Sequence, residues 1–393
     1  MTVLIALVLA PFFALTSCFA LEVLLGLRPL KLSPIRARGG GDAVIVVPAH
    51  DEAALLQQRL AVLSEAAKGR AQILLVADNC SDNTAEIARR LGIETIERCD
   101  PDRRGKGFAL DFARRHLKAK SPSVVIIVDA DCTIDSESLG RLIARCVETG
   151  NPQQATNLQL PSPQASPSVQ LSTFAFYIKN VIRQRALQRI SGRVNLLGTG
   201  MAFPWATFAE ARLATSNIVE DLKLGQELAA VGHSPLFAED ATVWSAAETD
   251  RNTLSQRSRW EGGFLRNALI VSPRFLLQSF LCGDGAGVWA AVNLMIPPFA
   301  LLILIDLMVS IIAALVAWSS GLSQWPVFLL TGSFLGAIAA LALAWAAAGG
   351  HRFVSAGSLI QAPLYVLWKL PMYLGFLRKG TPNEWMRTQR GES

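Results

Sequence analysis

The sequence predicts an α/β domain, a mixed and mainly parallel sheet flanked by helices, attached to transmembrane and interfacial helices. Three observations carry this expectation. Apolar, β-branched runs alternate with helical patterns between residues 43 and 149, the pattern of a sheet covered on both faces. Residues 1–21 and 307–350 contain no Asp, Glu, Lys or Arg, as a membrane-crossing helix requires. The 393-residue chain is 51% hydrophobic and 17% charged, with a mean hydropathy of +0.34, where an ordinary soluble domain is about 25% charged.

Residues 3–26 read as a retained transmembrane helix. No basic segment precedes the apolar run, so a cleaved signal peptide is the weaker alternative. Arg28, Lys31, Arg36 and Arg38 follow it, which puts the N-terminus outside and the next domain in the cytosol. This gives a transmembrane helix over 1–27 and a cytosolic domain over 28–261.

In that domain the spacing predicts strands at 43–47, 73–77, 93–96 and 124–128, with helices at 52–67, 83–91, 107–118 and 136–149. The first strand runs into Pro48-Ala-His50-Asp-Glu52, the second into Asp78-Asn-Cys-Ser-Asp82, and the fourth into Asp129-Ala-Asp131. Ligands of open α/β sheets bind beyond the carboxyl ends of the strands. Three acidic loops there imply a divalent cation, a hydroxyl-rich sugar or ribose, or both. Asn83 with Glu86 forms a capping-box pattern and Asp82 is a second cap candidate. Asp78 suits a turn as well as a ligand. Asp129 and Asp131 can both reach one Mg2+ or Mn2+ ion. Lys106, in Gly105-Lys-Gly107, can neutralise a phosphate or be a plain loop lysine. No GxGxxG follows the first strand and no GxxxxGK[ST] occurs, which disfavours a dinucleotide redox enzyme and a P-loop NTPase.

Residues 151–170 read as a strand plus a loop. Residues 171–190 read as a basic helix, with Lys179, Arg183, Arg185 and Arg189 on a solvated face or against lipid headgroups. The glycines of Leu197-Gly-Thr-Gly200 let backbone approach a ligand. Glu220-Asp221 opens an amphipathic helix ending at Gly232, where the dipole also favours acids as caps. Gln256, Arg259 and Trp260 precede the return to the membrane.

An interfacial helix is expected over 262–285, carrying Arg266 and Arg274. Two transmembrane helices are expected within 286–350, about 288–317 and 327–348. Pro297-Pro298 kinks or breaks the first. Asp306 lies inside it, a functional candidate or a partner for another helix. In 351–393, the segment 353–377 reads as interfacial with Lys369 snorkelling, a fourth span being the alternative. The six cysteines show no CxxC spacing and read as reduced, mostly buried and without zinc. A net charge of +6 is too small for a nucleic-acid binder and suits an anionic lipid surface.

Taken in order, Pro48 to Glu52, Asp78, Asp129-x-Asp131, Glu220-Asp221 and Gln256-x-x-Arg259-Trp260 resemble the membrane-integral family-2 glycosyltransferases, the group of cellulose, chitin and hyaluronan synthases. Val219 departs from the usual Thr before Glu220-Asp221. The resemblance implies a GT-A fold, a UDP-sugar donor and inversion at the anomeric carbon. It assigns Pro48, His50, Glu52 and Asp78 to the nucleotide, and Asp129 and Asp131 to Mg2+ or Mn2+. Lys106 and Arg259, with Asp129, fall near the diphosphate. Asp221, beside Glu220, becomes the general base, and Gly200, Gln256 and Trp260 line the acceptor side. The implied activity is sugar transfer to a glycan acceptor at the cytosolic face of a bacterial plasma membrane, in surface polysaccharide or exopolysaccharide synthesis. Export or assembly subunits are the implied partners. Single transfer to a lipid- or polyprenyl-linked acceptor uses the same residues and is the alternative. A silent scaffold or transport subunit is a remote third, and it predicts lost acids that the chain retains. No PilZ-like extension follows residue 393, so cyclic-dinucleotide control within the chain is not expected.

Overall fold

The computed structural model describes residues 1–35, 42–160, 164–215, 220–246, 258 and 261–380. In chain order, α1 (Thr2–Gly26) leads to β1 (Ala43–Ala49), α2 (Ala53–Ala67), β2 (Gln72–Asp78), α3 (Thr84–Arg90) and β3 (Glu94–Arg98). Then come α4 (Lys106–Leu117), β4 (Val124–Ile127), β5 (Cys132–Ile134), α5 (Ser136–Thr149) and β6 (Gln153–Leu160). Helix α6 (Pro167–Tyr177) continues through a π-helical turn into α7 (Arg183–Ser191). After β7 (Met201–Pro204) follow α8 (Trp205–Glu210), α9 (Glu220–Ala230) and β8 (Leu236–Ala246). The remainder is helical: α10 (Ser272–Leu281), α11 (Gly285–Met295), α12 (Phe299–Ser319), α13 (Trp325–Ala347), α14 (Ala356–Ile360), α15 (Ala362–Trp368) and α16 (Leu370–Lys379).

The chain forms two units. One holds the sheet and spans 30–160 and 192–247; the other is helical and spans 1–29, 161–191 and 248–382. Of the span expected as one domain, 28–261, the stretches 28–29 and 161–191 and the described end at 258 and 261 fall in the helical unit.

The described strands of the first unit form one mixed sheet in the order β3-β2-β1-β4-β7-β6-β8-β5. β1 is parallel to β2 and β4, with Ile45 beside both Ile73 and Ile126. Each of these strands is apolar on both faces because both faces are covered. Ile45 and Val47 pack with Leu56, Leu60 and Leu142 on one side; Val44 and Val46 pack with Leu110, Leu117 and Phe208 on the other. Beyond β4 the sheet turns antiparallel, through β7. Asp135 caps α5 by accepting from Ser138 N at 2.8 Å, and Gly150 ends it in the left-handed region. Asn83 occupies the cap position of α3 without a side-chain bond. Asp82 supplies the caps instead, accepting from Thr84 N at 3.0 Å and Ala53 N at 3.1 Å. The Asn83–Glu86 capping box therefore does not form, and the second cap candidate, Asp82, does the capping.

In the helical unit, α1, α12 and α13 are long and apolar enough to cross a membrane. The expected 288–317 helix is broken: α11 ends at Met295 and α12 starts at Phe299, with Pro297 and Pro298 between them. Residues 353–377 form short helices that restart at Pro363 and Pro371, not one spanning helix. Lys369 does not snorkel. It is buried, ion-paired with Glu261, whose second oxygen accepts from Tyr373 Oη at 2.6 Å. Asp306 faces α1, where Thr16 Oγ1 donates to it at 2.7 Å.

The basic helix is solvated only in part: Lys179 and Arg189 are exposed, whereas Arg183 and Arg185 are buried. Arg183 Nε pairs with Glu22 at 2.6 Å, and its Nη2 donates to Asn293 O at 2.9 Å. Arg185 donates to Gly26 O at 3.3 Å; Arg189 donates to Leu25 O and Arg28 O, both at 2.6 Å. Arg185 and Arg189 therefore satisfy carbonyls at the end of α1, where a helix leaves its last acceptors unpaired and favours cations. The cysteines also differ from expectation: Cys132 and Cys146 are buried, Cys18 and Cys80 are half-buried, and Cys99 and Cys282 are exposed.

Candidate active site

The carboxyl ends of β1, β2 and β4 lie side by side, at the point where the strand order reverses. The loops after β1 and β2 are stitched together. His50 Nδ1 lies 2.7 Å from Asp78 O; a carbonyl only accepts, so this nitrogen carries the proton. Asp51 accepts from Ser81 N at 2.6 Å and Asp82 N at 3.2 Å. Burial acts to raise the Asp51 pKa, but the Ser81 hydrogen bonds and neighbouring groups outweigh it and hold it below the usual value. Glu52 N donates to Thr84 Oγ1 at 2.9 Å. Asp51 and Asn79 have φ of 51° and 52°, a left-handed conformation that costs energy outside glycine. The Asp78 carboxylate is buried and paired with Arg98 at 2.6 Å, while Asn79 Nδ2 donates to it at 3.0 Å. Pro48 closes β1 in register with Val76.

Asp129 and Asp131 sit on a turn closed by Cys132 N donating to Asp129 O at 2.9 Å. One ligand atom from each of Asp129, Asp131 and Cys132 falls within a 4.8 Å cluster. Burial, then the charges of Asp131 and Asp129, push the Cys132 thiol well up. It stays protonated, so the two carboxylates are the donors, and hard oxygens suit Mg2+ or Mn2+.

Lys106, at the start of α4, is ion-paired with Asp129 and donates to Gly198 O at 2.8 Å. Burial works against its charge, but Asp129, Glu220 and Asp221 outweigh it and raise its pKa. Glu220 is pushed up to about 8, by burial first and the charge of Asp221 second. The two adjacent acids together therefore hold a proton more tightly than separate carboxylates would. A methyl group on Gly198 would stand 3.4 Å from Asp221 Oδ2 and 3.6 Å from Lys106 Nζ. The structure thus brings Lys106, Asp129, Glu220 and Asp221 together around one glycine.

Other expected residues fall elsewhere. Gly200 lies against the sheet, where a Cβ would stand 2.8 Å from Val243 Cγ2, so packing alone accounts for a glycine here. Gln256, Arg259 and Trp260 lie outside the described residues. The glycines of Leu197-Gly-Thr-Gly200 were legible as a close-approach segment; the side chains of Thr199, Gln154 and Arg98 carried no local signal that places them at the site. Arg98, Asp78, Asn79 and Asp100 form a network that only the fold assembles.

The family model described as Glycosyltransferase like family 2 matches residues 41–263. Glycosyltransferase AglD of Haloferax volcanii is 30% identical over 139 residues, which cover 33% of this chain and 22% of that protein. The mannosyltransferase PcManGT from Pyrobaculum calidifontis, solved with GDP-Man and Mn2+, is 16% identical with a TM-score of 0.57, covering 96% of this chain and 97% of that one. The glucosyl-3-phosphoglycerate synthase of Mycobacterium tuberculosis, solved with Mn2+ and uridine-diphosphate-glucose, is 17% identical with a TM-score of 0.42, covering 59% of this chain and 78% of that one. A family match over more than half of the sequence, on a sheet of this topology, establishes that the chain belongs to Glycosyltransferase like family 2 and is a glycosyltransferase with a GT-A-type fold.

Proposed function

We propose that the chain transfers a sugar, with inversion, from a nucleoside-diphosphate sugar to a glycan or lipid-linked acceptor at the cytosolic face of a bacterial plasma membrane. The observation that carries this is the Asp129/Asp131 turn with Lys106, Glu220 and Asp221 gathered at Gly198. The donor fits a UDP-sugar; the GDP-Man and Mn2+ in the mannosyltransferase of similar fold support the same donor class and metal.

Asp129 and Asp131 would hold a Mg2+ or Mn2+ ion, which would supply the positive charge that makes the diphosphate a good leaving group. Lys106 adds a fixed cation beside it. Asp221 takes the acceptor hydroxyl proton as that oxygen bonds to the anomeric carbon. The bond from this carbon to the diphosphate oxygen breaks, and the nucleoside diphosphate leaves with the electron pair. A single displacement inverts the centre and needs no covalent nucleophile. The cations after α1 and the three membrane-length helices support a multi-pass protein with its N-terminus outside.

The test is nucleoside-diphosphate release by purified, detergent-solubilised protein across UDP- and GDP-sugars with Mg2+ or Mn2+. Turnover with one donor, lost on chelation, supports the proposal. No turnover and no nucleotide binding would refute it.

A further inference from the structure

We infer that Gln154 is a positioning residue for glycosyl transfer, an inference that rests on the reading above. Gln154 lies near the start of β6 and is fully buried. A buried primary amide is costly unless both its ends are paired. Oε1 accepts from Leu197 N at 2.8 Å, and Nε2 donates to Thr199 O and Ala155 O, both at 2.9 Å. One side chain thereby grips the backbone on either side of Gly198. The far end is fixed by Gly200, whose N–H donates to Ile127 O and whose carbonyl accepts from Ala155 N, both at 2.8 Å.

This segment needs holding. Gly198 and Gly200 have φ of 85° and 65°, values glycine adopts freely in a flexible chain. Held by Gln154, the Gly198 carbonyl meets Lys106 Nζ at 2.8 Å, and Thr199 Oγ1 accepts from Asp129 N at 3.1 Å. Gly198 itself borders Asp221. Gln154 touches no reacting group, yet it fixes the backbone against which the cation, the first aspartate of the turn and the proposed base are set. An amide that only filled the core would stabilise the sheet and leave turnover alone.

The experiment compares wild type with Gln154→Met and Gln154→Glu. Met keeps the volume and loses all three hydrogen bonds. Glu keeps the acceptor for Leu197 N but turns an oxygen towards two carbonyls. Hydrogen exchange of peptides covering 193–203 and 126–132 is read together with Tm, kcat and donor KM. Both peptides should exchange at least about tenfold faster, and kcat should fall about 10- to 100-fold while KM moves less than about threefold. A lower Tm with unchanged exchange and unchanged kcat overturns the inference. If the wild type turns over no nucleotide sugar, the transfer reading fails separately, and unchanged exchange still refutes the role of Gln154. Should neither variant fold, Thr199→Val carries the test: it removes the acceptor for Asp129 N and should speed exchange in 126–132.

Discussion

Glu220 and Asp221 share the first turn of α9, and their different surroundings divide their roles. The Glu220 pKa of about 8 arises from burial, then from Asp221, with Asp129 adding and Lys106 opposing. An unfolded glutamate titrates near about 4.3. The folded chain therefore holds this proton more tightly than the unfolded chain does. The stability it contributes is full below about pH 4.3 and is lost as pH rises through about 8. Thermal unfolding should show Tm falling from pH 5 to 8 more steeply in wild type than in Glu220→Gln, which keeps the shape without the charge. Asp221→Asn should lower kcat by about 100-fold or more while calorimetry shows donor affinity retained. The glycines separate in the same way. Gly198→Ala forces a left-handed alanine, a cost of about 1–2 kcal/mol, beside Asp221 and Lys106, so kcat should fall in a protein that still folds. Gly200→Ala drives a methyl into Val243, so its yield of folded protein should fall first.

At the scale of elements, β1 to β4 and α2 to α5 were legible to within about two residues, β6 only as a strand within 151–170, and β5, β7 and β8 not at all. Continuously apolar runs such as Ile73–Ala77 have no reading other than a covered strand, and the helices between them carry ordinary periodicity. The acids after each strand were legible as a converging edge once the sheet was read as parallel. What escaped depends on partners distant in sequence. Arg183 looks like a surface cation locally; its partner Glu22 lies 161 positions away. Lys369 finds Glu261 across 108 positions. Gln154 gains its meaning from Leu197 and Thr199, and nothing local announces them. Glu22→Gln should leave Arg183 buried beside a neutral amide and cost about 3–5 kcal/mol. Detergent thermal unfolding should show that loss, and Glu22→Gln with Arg183→Met should recover much of it.

At the scale of the molecule, the two units alternate along the chain: it leaves the helices for the sheet, returns for 161–191, goes back to the sheet for 192–247 and then re-enters the helical unit. Three membrane-length helices predict that the protein stays in the membrane after an alkaline carbonate wash. The proposed orientation predicts that protease added to intact spheroplasts removes an N-terminal tag and spares a C-terminal one. The arginine cap on α1 has a consequence in time. Arg189 is made 164 residues after Leu25, the carbonyl it caps. At about 5–20 residues per second, about 8–30 s separate the two on the ribosome. On the proposed topology, α1 spends that interval in the bilayer with its last carbonyls served only by water and headgroups. Long, apolar and mostly uncovered by protein, it is suited to wait there alone. That reading makes insertion an early, self-sufficient event and the arginines a latch that closes later on a helix already in place.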